Sequence, residues 1–84
     1  MDDLPDVEEV AVIVAAIEAR GSDTSVQQFD RDHQVLLDEQ AEIAELVSRE
    51  LPAEYNKNDV RALLDRIENA IDDNRVKRKA AASR

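Results

Sequence analysis

The stretch SVQQFDRDHQVLLDEQAEIAELVSRELP, residues 25–52, decides how this chain folds. Val26, Phe29, Leu36, Ile43 and Val47 recur at helical spacing, and His33 and Gln40 fill the two missing heptad positions. Apolar residues that return every three to four positions turn one face of an α-helix toward a core. Leu37, Ala41, Ala44 and Leu51 widen the stripe on one side, which suits a globular bundle better than a narrow coiled-coil seam. Ser25 is placed to accept the Gln28 amide hydrogen bond, with Gln28 placed to reciprocate in a capping box, and Pro52 ends the run. The spacing predicts a helix over 25–50, the longest element and the spine on which its neighbours pack.

Upstream, Val7, Val10, Val14 and Ile17 follow 3-4-3 spacing, Pro5 suits a first turn, and Gly21 after Arg20 supplies a stop. The run Val-Ala-Val-Ile-Val at 10–14 has strong β-propensity and offers a strand as the competitor. The acidic first turn, the alanines and Gly21 favour a helix over 5–20. Downstream, Asn58 reads as a cap, Asp59 adds negative charge at the positive helix end, and Val60, Leu64, Ile67 and Ile71 form a third stripe beside Leu63 and Ala70. That stripe weakens to Asn74, Val76 and Ala80, so the third helix is expected over 58–78.

The expected fold class is therefore all-α, a small three-helix bundle with a long central helix. A chain this short buries only about 60% of its unfolded surface. That thin core, with polar residues along the seam, predicts a homodimer held by Phe29, Leu36 and Ile43.

Charge divides the chain. Residues 1–73 hold all twenty Asp and Glu against six Lys and Arg, a formal −14, whereas 74–84 carry Arg75, Lys77, Arg78, Lys79 and Arg84, a formal +5. The reading is an acidic helical domain over 1–74 and a basic C-terminal tail over 75–84 that continues or frays from the third helix. Such a split bears on partners rather than on fold. An acidic body is a poor ligand for duplex DNA, which must be met with cations. With Phe29 and Tyr55 as the only aromatic residues, stacking platforms for single strands cannot be built from several rings either.

Catalytic chemistry lacks its usual parts. There is no cysteine, one histidine and one glycine, which removes thiolate chemistry, the common zinc ligand sets and a glycine-rich phosphate loop. His33 reads as a seam residue. Ser22, Ser25, Ser48 and Ser83 lack a nucleophile-elbow context. Carboxylate pairs such as Asp38 with Glu42 and Asp2 with Asp6 arise from abundance, without the Glu-x-x-His pattern of di-metal bundles. No catalytic residue, metal ligand or cofactor is therefore expected, and the chain reads as no enzyme. The longest apolar run, residues 10–17, is too short to span a bilayer, and the start Met1-Asp2-Asp3 lacks a basic signal region, so a cytoplasmic protein is expected.

What remains is recognition. The leading expectation is a protein-interaction module, an adaptor, assembly factor or inhibitor, whose Glu39, Glu42 and Glu45 meet a basic or mixed surface. The alternative is a small transcriptional or nucleic-acid-associated regulator that contacts phosphate through Arg75, Lys77, Arg78 and Lys79.

Overall fold

Asp6 starts the first helix: its carboxylate accepts from the Glu8 and Glu9 amides at 3.0 and 3.4 Å. In the computed structural model, which describes residues 6–53 and 55–83, helix α1 then runs Val7–Glu18. The strand alternative at 10–14 is thus replaced by helix. Gly21 does not end α1 by turning left-handed, since no described residue has a positive φ. The helix instead closes through Ala19 in the right-handed region, with the Ala19 and Arg20 amides donating to Ala15 and Ile17 carbonyls.

Helix α2 spans Val26–Ser48, and the Ser25 hydroxyl accepts from the Gln28 amide at 3.1 Å. The reciprocal half of the expected capping box is absent, because the Gln28 side chain donates to Asp32 Oδ1 at 3.0 Å. Helix α3 spans Lys57–Ala82. Its cap is Asn56 rather than Asn58: Asn56 Oδ1 accepts from the Asn58 and Asp59 amides at 2.9 and 3.3 Å. The basic segment continues the third helix, which runs through residue 82 rather than ending at the expected 78.

The expectation that α2 is the longest element and the spine is corrected. Helix α3 has 26 residues against 23 for α2, and it packs on both neighbours, whereas α1 and α2 touch little. Its inward residues explain this role. Val60, Leu63, Ile67, Ala70, Ile71 and Asn74 are all buried, a stripe broad enough to serve two partners. At about 1.5 Å per residue α3 is about 39 Å long. It accounts for most of the 48 Å long axis of the molecule.

The buried face of α2 is also rotated from the expected one. Phe29, Asp32, Leu36, Ile43 and Leu46 are inside, while Leu37 is 38% exposed and Ala41 and Ala44 face solvent. The stripe widens toward Asp32 and Leu46 because Asp32 is satisfied inside the protein. Pattern reading counts aspartate as polar and turns that side outward. Val10, Val14 and Ile17 of α1 complete the core, with Val14, Leu36, Ile43 and Ile67 fully enclosed. No helix among the described residues is long and apolar enough to cross a membrane.

Candidate protein-interaction surface

The fold sorts charge to opposite parts of the bundle. At the end where α1 finishes and α2 begins, the Arg20 guanidinium grips Asp32 through Nε at 2.9 Å and Nη2 at 3.3 Å. Asp32 is 3% exposed, and with the Gln28 amide its two oxygens accept three hydrogen bonds. A desolvated carboxylate needs such saturation to be tolerated. Arg66 reaches from α3 to Glu18 with contacts down to 2.6 Å, and Glu18 holds the guanidinium above its ordinary pKa, first by hydrogen bonding and then by charge.

The basic segment is tied into the same end. Lys77 Nζ donates to the Glu18 backbone carbonyl at 2.8 Å, capping α1, and pairs with Asp73 at 3.1 Å. Arg78 Nε pairs with Asp30 of α2, whose hydrogen bond and charge raise the Arg78 pKa. One turn earlier Asn74, 3% exposed, donates from Nδ2 to the Phe29 carbonyl at 3.0 Å. Of the four tail cations expected to contact phosphate, Lys77 and Arg78 are therefore engaged within the chain. Arg75 and Lys79 are exposed and form no ion pair among the described residues. They flank Val76, which is 68% exposed, beside Asp72.

Along α2 the balance reverses. Glu42 and Glu45 are exposed, whereas Glu39 is half-buried at the edge facing α1. Asp6 at the cap of α1 and Glu9, Val10 and Ile13 within it face Glu39 and Glu42 across a shallow cleft. The Glu39 pKa is raised, chiefly by burial and then by the charges of Glu42, Asp38 and Glu9. The charges acting on it are all carboxylates. Glu45 has a long i,i+4 contact with Arg49 at 3.8 Å, a pair too exposed to neutralise the face.

The apolar partner-binding candidates are placed elsewhere. Phe29, Leu36 and Ile43 are 1%, 0% and 0% exposed and spend their surface on the chain's own core. Pattern reading also missed Asp32 and Leu46, whereas Asn74 stands where the third stripe was expected to weaken. The signal lay in the 3-4-3-4-3 register of residues 29, 32, 36, 39, 43 and 46, which passes through two acids. No protein-family model, curated protein or solved structure matches this chain.

Proposed function

We propose that this chain is a non-catalytic protein-interaction module that presents the acidic face of α2, with the first turn of α1 beside it, to a basic protein partner. The observation that carries this reading is Glu39. It is half-buried among carboxylates, its protonation is promoted first by burial and then by their charge, and the α1–α2 cleft beside it is lined by no cation among the described residues. A partner's lysine or arginine brought to that cleft relieves repulsion already present in the free chain. Complementary charge of this kind speeds and orients encounter more than it adds affinity. An adaptor, assembly factor or inhibitor is the role such a surface fits.

The ion pairs of Lys77 and Arg78 weigh against the nucleic-acid alternative, which keeps Arg75 and Lys79 as its accessible cations. One comparison separates the two. Native proteins are captured on the wild-type chain, on the triple variant Glu39→Lys/Glu42→Lys/Glu45→Lys, and on Arg75→Ala/Lys79→Ala. The acidic-face reading expects a recurrent partner lost only from the triple variant. A partner or nucleic acid lost only from Arg75→Ala/Lys79→Ala would replace it with the tail reading.

A further inference from the structure

A cavity of about 390 Å³ opens at the end of the bundle, between the α1–α2 connection and the last turns of α3. Its volume lies within the range of small-molecule sites. Phe29, Ala80 and Ala81 form apolar wall, and Gly21 and Ser22 belong to one rim. The chain has 20 acids against 11 Lys and Arg, yet both ionisable residues on this wall, Arg20 and Lys77, are cations. Each retains donors. The Lys77 ammonium has three N–H groups, of which the Glu18 carbonyl and Asp73 take two. Arg20 gives Nε and Nη2 to Asp32, which leaves Nη1 without a partner among the described residues.

We propose that this cavity binds a medium-length aliphatic carboxylate. The alkyl chain lies against Ala80 and Ala81, over the small part of Phe29 that reaches the cavity floor, and the head group accepts hydrogen bonds from Lys77 and Arg20. An inorganic anion gains nothing from the apolar wall, and a neutral alcohol offers the remaining Lys77 and Arg20 donors a weaker acceptor than a carboxylate, even though both cations already pair with Asp73 and Asp32. The site is separate from the acidic face of α2 and does not depend on it.

Amide chemical shifts of the full chain, titrated with sodium octanoate, octanol and sodium acetate, test the proposal. Octanoate is expected to shift Gly21, Ser22, Ala80 and Ala81 saturably with a Kd on the order of 1 mM, with octanol and acetate each weaker. Lys77→Gln should weaken octanoate about tenfold and leave octanol unchanged. Because Lys77 also caps α1, a second variant fills the cavity from an exposed position: Ala80→Trp should abolish octanoate binding while the remaining amide spectrum stays folded. Absence of a saturable shift, equal binding of octanol, equal binding of acetate, or unchanged octanoate binding by Ala80→Trp would each overturn the assignment.

Discussion

Asp32 is inside the protein because Arg20, twelve residues earlier, and Gln28, one turn earlier, converge on it. Asp32→Ala is expected to cost about 2–3 kcal/mol, toward the low end for a broken buried pair, since the Arg20 side chain is 36% exposed and recovers hydration. Urea denaturation at neutral pH measures this, and an unshifted midpoint would contradict it. Glu39 behaves in the opposite sense. Its folded pKa is raised from the ordinary value of 4.5, so the folded state holds this proton more readily than the unfolded state. Stability is lost as pH rises from the ordinary value through the raised one, and stays lower above it. Glu39→Gln should therefore stabilise the protein at neutral pH by roughly 0.5 kcal/mol or less after solvent screening, with the gain vanishing below about pH 4. A constant difference between the two proteins from pH 3 to pH 8 would remove the electrostatic explanation. Neither residue's environment was legible in the sequence, because an acid in a helical stripe looks the same whether a distant arginine meets it or not.

Three helices were legible, since apolar spacing and punctuation by Gly21 and Pro52 are local properties. Their ends were less so. The third helix outruns its apolar stripe because Lys77 and Arg78 hold residues on α1 and α2, contacts separated by 59 and 48 positions along the chain. The inward face of α2 was misjudged by one side of the stripe, and substitution reads this directly. Leu36→Ala and Ile43→Ala should each cost about 2–5 kcal/mol, whereas Leu37→Ala should cost less than about 1 kcal/mol. A Leu37→Ala loss as large as that of Leu36→Ala would return the stripe to its sequence-expected position. Gly21 makes a further distinction. A Cβ there meets the flexible Asp23 carboxylate at 3.1 Å, and the backbone has no positive φ to strain. Gly21→Ala should change stability by no more than about 0.5 kcal/mol, whereas a left-handed helix stop would lose more.

Across the whole molecule, apolar surface and charge have been assigned to different tasks. Phe29, Leu36 and Ile43, on which the expected dimer seam was built, are enclosed in the single chain, so a dimer through that seam would require the bundle to open, and sedimentation equilibrium at micromolar concentration is expected to return one subunit mass. A dimer mass there would show pairing through some other surface. The basic segment, distinct in composition, is integrated in space through Asn74, Lys77 and Arg78, which leaves the α2 face with Glu39, Glu42 and Glu45 as the cation-poor surface proposed for recognition. The association rate with a captured basic partner, followed as a function of salt, tests this claim most directly. Steering by the acidic face predicts a wild-type rate that falls steeply as salt rises, and a slower, nearly salt-independent rate for the variant Glu39→Lys/Glu42→Lys/Glu45→Lys. Equal rates and equal salt dependence for the two proteins would contradict the account.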